Sequence, residues 1–172
     1  MKTRDKIIKG ARDYLLREGQ AGFTVRAIAA EAGVNQGLVH HYFGSKENLI
    51  TELIDIEAER PFAKLKGDIA GKQPQEIISL VLKTFFLNQE FVNLLLEFIN
   101  LAQHSDVVKI KVKSIMKSRK AFISSVLGIE DPVDKTVLVG GIFGIVLQSK
   151  VLDAIDIEIS VQRLLSKLGL DG

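Results

Sequence analysis

Apolar residues recur three and four positions apart along nearly the whole chain, and no stretch alternates strictly, so the pattern predicts helices throughout and no strands. The first helix is expected over residues 3–18, with Ile7, Ala11 and Leu15 on one stripe, Ile8 beside it, and Lys and Arg on the outer faces. Gly19 ends it. Thr24 is placed to cap a second, short helix carrying Val25, Ile28, Ala29 and Ala32. Gly33 sits where that helix must stop, a position that often needs positive φ. Asn35 then caps a third helix whose apolar positions, Val39 and Phe43, lie four residues apart. Phe23 is expected to plug the gap between these helices. Their shared core is Ile7, Ala11, Leu15, Phe23, Ile28, Ala29, Val39 and Phe43.

Ser45 opens a fourth helix through Leu49, Ile50, Leu53, Ile54 and Ile56 to about Lys66, with a kink or stop expected at Glu59 or Arg60 because Pro61 removes a donor. Pro74 opens the next helix in the favoured first position. Residues 75–87 and 89–103 are apolar on most faces, broken by the polar stripe Asn93, Glu97, Asn100 and His104. Ser105 caps a helix to Leu127. Asp131-Pro132 starts another, expected to reach about Ala154. Its middle, LVGGIFGIVL, holds Gly140, Gly141 and Gly144, each costing about 1 kcal/mol relative to Ala in a helix. Such a cost makes sense where a second helix approaches closely. Asp156 caps the last helix, with Ile157, Val161, Leu164, Leu165 and Leu168 as its apolar face. The fold class is therefore all-α, with about nine helices: a three-helix N-terminal domain (residues 1–46) and a larger helical body (residues 47–172).

Composition narrows the setting. The chain has no cysteine, which excludes disulfides and thiolate metal sites and suits a reducing compartment. The longest uncharged run, residues 136–149, is shorter than the roughly 20 residues needed to span a bilayer. The N-terminus keeps charges throughout its first turns, unlike a signal peptide. A soluble cytoplasmic protein with no membrane partner is expected. The net charge of +2 hides an asymmetry: residues 1–46 hold eight basic and four acidic groups, whereas the remainder is slightly acidic. That distribution suits phosphate contact at one end.

Catalytic chemistry finds no support in the pattern. The three histidines are His40, His41 and His104, and neighbouring His40 and His41 project about 100° apart on a helix, a poor arrangement for sharing a metal. There is no nucleophile elbow and no phosphate-cradling glycine loop. No enzyme activity, no metal and no cofactor is expected.

The third helix carries the functional signal. With only Val39 and Phe43 turned inward, it leaves Gln36, Gly37, Leu38, His40, His41 and Tyr42 on its other faces, and the object such a helix reads is the DNA major groove. The stretch TVRAIAAEAGVNQGLVHHYFGSK, preceded by an amphipathic helix and Gly22-Phe23 and followed by Glu-Asn-Leu, closely resembles the DNA-binding domain of TetR-family transcriptional regulators over roughly the first fifty residues. The resemblance implies a homodimer on a palindromic double-stranded operator, and a helical body for dimerisation and for a small, largely apolar effector. A repressor released by that effector is the expected function. A regulator without an effector, controlled by a protein partner or by concentration, is the alternative. The matching DNA-contacting positions are Thr24, Arg26, Asn35, Gln36, Gly37, Leu38, His40, His41, Tyr42 and Lys46. Tyr42 and Lys46 suit phosphate, and Gln36 suits adenine. Leu38 stands where a hydroxyl residue is common, and His40 where Tyr is common. For the effector pocket the candidates are Phe62, Phe85, Phe86, Asn93, Glu97, Phe98, Asn100, Met116 and Phe122. For the dimer interface they are Val137, Gly140, Gly141, Gly144, Gln148, Val161, Leu164, Leu165 and Leu168.

Overall fold

Helix α1 (Thr3–Glu18) buries Ile7, Ile8, Ala11 and Leu15, the stripe that its apolar spacing marks out. It belongs to a computed structural model that describes residues 1–170, in which every regular element is helical. Next come α2 (Val25–Glu31), α3 (Gln36–Phe43) and α4 (Lys46–Ile54). Each starts at a side chain that satisfies a free amide. The Thr24 hydroxyl accepts from Ala27 at 3.2 Å, Asn35 Oδ1 from Gly37 at 2.8 Å, and the Ser45 hydroxyl from Asn48 at 3.1 Å. Between α2 and α3 the chain turns through Gly33 at φ 64°, where a Cβ would be strained.

Pro61 neither ends nor breaks its helix. A π turn, Asp55–Glu59, comes just before it, the Arg60 N–H reaching back five residues to Asp55, and α5 (Arg60–Asp68) continues. The widened turn is how the helix runs on past a residue that has no donor. The following helix behaves alike: α6 (Pro74–Val81) passes into a second π turn, Leu82–Phe86. After it come α7 (Gln89–Ala102), α8 (Asp106–Val126), α9 (Pro132–Gln148) and α10 (Ile157–Lys167). With α4 and α5 taken as one rod, the described residues form nine continuous helical segments. The expected span to Ala154 proves too long, since α9 stops at Gln148. There the Ser149 hydroxyl takes the Val146 carbonyl at 2.8 Å, and the amides of Lys150 and Val151 turn back only three residues. Ala154 itself sits at φ 81°, outside any right-handed helix.

Packing groups the elements into two compact units. The first comprises residues 1–63 and 89–115, and the second residues 64–88 together with the described residues from Met116 to Leu170. In the first, all eight residues expected to form the trihelical core are buried, and the core continues through Leu49, Leu53, Leu94, Phe98 and Val108. Gly10 lets α1 meet α2: a Cβ there would lie 2.8 Å from the Ala32 nitrogen and 2.9 Å from its Cβ. In the second unit, Leu138, Ile142 and Val146 of α9 are buried, as are Ile157, Val161 and Leu165 of α10. Phe86 meets Phe143 edge to face, with ring centroids 5.6 Å apart. Among the described residues, no single helix is long and apolar enough to cross a membrane.

Candidate DNA interface

Helix α3 is fixed at both ends and on one side. Asn35 caps its start, Val39 and Phe43 anchor its inner face, and Asn48 Nδ2 donates to the Phe43 carbonyl at 3.0 Å to close its last turn. Gly44, at φ 74°, lets the chain leave for α4. Everything else on α3 is open: Gln36, Gly37, Leu38, His40, His41 and Tyr42 are all exposed. Eight residues thus spend two side chains on the core and present five to solvent, including a leucine and a tyrosine, with Gly37 open beside them. His41 and Tyr42 meet edge to face at 5.1 Å, and His40 Nδ1 lies 3.3 Å from the Gly44 carbonyl.

Flanking groups extend this surface. Arg26 and Thr24 are exposed on α2 and its cap. Lys46, at the start of α4, donates from Nζ to the Phe23 carbonyl at 3.3 Å, which holds its ammonium against the loop entering α2. All ten residues proposed from the sequence to meet DNA therefore belong to α2, α3, their caps and the first position of α4. Among the described residues, no group of three His, Asp or Glu side chains could hold a metal ion.

Around this face, ion pairs hold α1 in place. Arg17 chelates Glu31 with two bonds of 2.7 and 2.6 Å, tying α1 to α2. Hydrogen bonding to Arg17 lowers the Glu31 carboxyl below its ordinary range. Arg12 reaches Glu57 at 3.1 Å and Glu90 at 2.5 Å. Burial opposes its charge, yet these two carboxylates together hold its pKa above the ordinary value. The Arg4 guanidinium lies 5.3 Å from the Phe43 ring centroid and also pairs with Glu52 at 2.5 Å.

The other residues singled out from the sequence are dispersed. Of the effector-pocket candidates, Phe62, Asn93, Glu97, Phe98 and Asn100 lie in the first unit, and Phe85, Phe86, Met116 and Phe122 in the second. Asn93 and Asn100 are exposed, whereas the Glu97 carboxylate accepts from the Gln20 amide at 2.8 Å and so caps the turn that leaves α1. Met116 is exposed, and Phe62, Phe85, Phe86 and Phe98 are buried. Along α9, Val137, Gly140 and Gln148 are exposed, and a Cβ at Gly140 or Gly144 would meet nothing within 4 Å. Gly141 differs: its Cβ would lie 2.6 Å from Leu164 Cδ2, so it accommodates α10 of its own chain. Val161 and Leu165 are buried, while Leu164 and Leu168 are half-buried.

Sequence reasoning missed Gly10, Asn48, Arg12 and Glu90. Gly10 carried a usable signal, since a glycine inside an amphipathic helix implies close approach. The others bind partners between five and 78 residues away, beyond what local periodicity encodes.

Comparison with known proteins agrees with this geometry. Residues 7–53 match the family model of bacterial regulatory proteins, tetR family. The transcriptional repressor NicS of Pseudomonas putida is 31% identical over 99 residues, covering 55% of this chain and 47% of NicS. The chain thus spans about half the length of the curated relatives it matches. A transcriptional regulator from Saccharomonospora viridis, solved with choline, shares the fold with a TM-score of 0.79 at 15% identity, over 98% of this chain and 96% of that one. The multidrug binding protein EbrR, solved with ethidium, gives 0.69 at 21% identity, over 97% and 98%. These relatives are regulators rather than enzymes. Residues 7–53, which build the helix-turn-helix face, are thus similar to the tetR family of bacterial regulatory proteins.

Proposed function

We propose that this protein is a homodimeric transcriptional repressor that reads a palindromic operator with α3 and is released by a small molecule. The observation that carries the reading is the division of labour on α3, where two side chains hold the core and five face outward beside Arg26 and Lys46. Gln36 supplies a bidentate amide for adenine, Leu38 an apolar contact for a thymine methyl, and Tyr42 and Lys46 phosphate contacts. In this reading residues 1–46 are the DNA-binding domain and residues 47–172 the dimerisation and effector domain.

Support for the dimer comes from α9. Val133, Val137, Gly140, Gly144 and Leu147 fall on one helical stripe, its apolar side chains largely exposed and its two glycines open. A second copy covering that stripe would bury it and set the two readers about one helical turn, roughly 34 Å, apart. An effector is supported by the two fold relatives that hold choline and ethidium. The alternative, a regulator without a small-molecule effector, is favoured by one observation: Glu97, the charged member of the polar stripe on α7, is engaged by Gln20.

The test is selection of duplexes from a random library with purified protein, followed by titrations at several salt concentrations. Lys46→Ala should weaken binding to every duplex and lower the log–log salt slope by about 0.9, one phosphate contact. Gln36→Ala should change discrimination at one base pair by roughly 1–3 kcal/mol. Recovery of no palindrome, or binding indifferent to both substitutions, would remove the assigned reading face.

A further inference from the structure

The second unit contains a groove unrelated to the reader, running between α6 and α10 with a volume of about 310 Å³. Its floor is aliphatic: Ile78 and Leu82 from one wall, Val161, Leu165 and Leu170 from the other. Ile78 and Leu82 stand four residues apart, as do Val161 and Leu165, so each pair lies on one helical face, and Leu170 follows the end of α10.

The rim is polar, and four of its side chains are unspent. Ser79, Glu158, Gln162 and Ser166 line it, and among the described residues none of these side chains makes a hydrogen bond or an ion pair within the chain. A helical serine ordinarily returns its hydroxyl to a carbonyl in the preceding turn, as Ser124 does to Lys120 at 2.7 Å, but Ser79 does not. Among the described residues of the lining, Glu158 is the only charged one. It is half-buried and stands in the first turn of α10. An apolar floor beside an unpaired carboxylate and three neutral hydrogen-bonding groups selects an amphipathic cation.

The lining also distinguishes between cations. Among the described residues it contains no aromatic ring, so it has no cage for a quaternary ammonium by cation–π contact. A head that carries N–H groups can instead donate to Glu158 and to the Gln162 and Ser166 oxygens. The volume corresponds to about ten waters, matching a ligand of about nine heavy atoms.

We propose that the α6–α10 groove binds a small alkylammonium, its chain on the aliphatic floor and its N–H-bearing head on Glu158. Occupancy of the groove stands independently of DNA binding, and its use as an effector site rests on the function proposed above. The probe is n-octylamine at neutral pH, followed by amide chemical shifts of the full chain without DNA. Octylammonium should shift Ser79, Glu158 and Gln162 saturably, whereas octanol should bind at least about tenfold more weakly, octyltrimethylammonium likewise, and octanoate not at all. Glu158→Gln should cost octylammonium about tenfold while leaving octanol unchanged, the spectrum itself reporting that the variant is folded. Gln162→Trp, which fills the groove, should abolish both. Equal binding of octylammonium and octyltrimethylammonium would overturn the proposal, as would indifference to Glu158→Gln, shifts centred elsewhere, or no saturation in the millimolar range.

Discussion

Replacing Gly10 by alanine tests the packing that sets the reader. In an open helix the change is stabilising by up to about 1 kcal/mol, because alanine loses less backbone freedom on folding. Here the new methyl would stand 2.8 Å from the Ala32 nitrogen, 2.9 Å from its Cβ and 3.0 Å from its Cα. Two of these three atoms are backbone, so α1 and α2 must separate rather than a side chain turn aside. Overpacking of this kind costs about 1–3 kcal/mol, which offsets the full helix gain and leaves a net loss of up to about 2 kcal/mol. Because α2 and α3 are joined by the short Gly33 turn, the shift also reaches the face proposed to read DNA, and operator affinity should fall with stability. The assay is tyrosine fluorescence during thermal and urea unfolding. The chain has two tyrosines and no tryptophan, and Tyr14 and Tyr42 both lie in the reader, so the signal reports that unit alone. A Gly10→Ala protein that unfolds at higher temperature than the parent, with unchanged operator affinity, would refute the close contact and the reasoning built on it.

Gly144→Leu should leave the folded protomer intact, since nothing lies within 4 Å of that position, but weaken the dimer in light scattering; a wild-type monomer at micromolar concentration would sink the two-fold model. Gly141→Ala should instead destabilise the protomer itself, through Leu164, and an unchanged melting temperature would contradict that contact. Glu97→Ala should remove protection of the Gln20 amide from hydrogen exchange and cost about 1 kcal/mol, whereas Glu97→Gln, which still accepts, should retain most of it. Equal exchange in all three proteins would show that the carboxylate does not cap that turn.

Much of the fold was written in local pattern. Helix starts at Thr24, Asn35, Ser45, Asp131 and Asp156 are legible because the capping group lies two or three residues from the amide it satisfies. The trihelical core was legible for a similar reason, since period-3.6 spacing records which face of a helix avoids water. The exposed character of α3 followed by subtraction: two apolar positions in eight leave six with nothing inside to hold them. Even the glycines of α9 announced a close approach, though not whose. Only tertiary structure assigned Gly141 to Leu164 of the same chain and left Gly140 and Gly144 open. It likewise turned Glu97 from a candidate ligand group into the acceptor for Gln20, 77 residues away, and carried the chain past Pro61 on a π turn. It also set α6 beside α10, making a groove from residues about eighty positions apart. Periodicity, caps and turns act within one or two turns of helix, so the sequence by itself determined the elements and their inward faces. Which face meets which, and what is left unpaired between them, depends on packing among distant segments, and that only the tertiary structure decided.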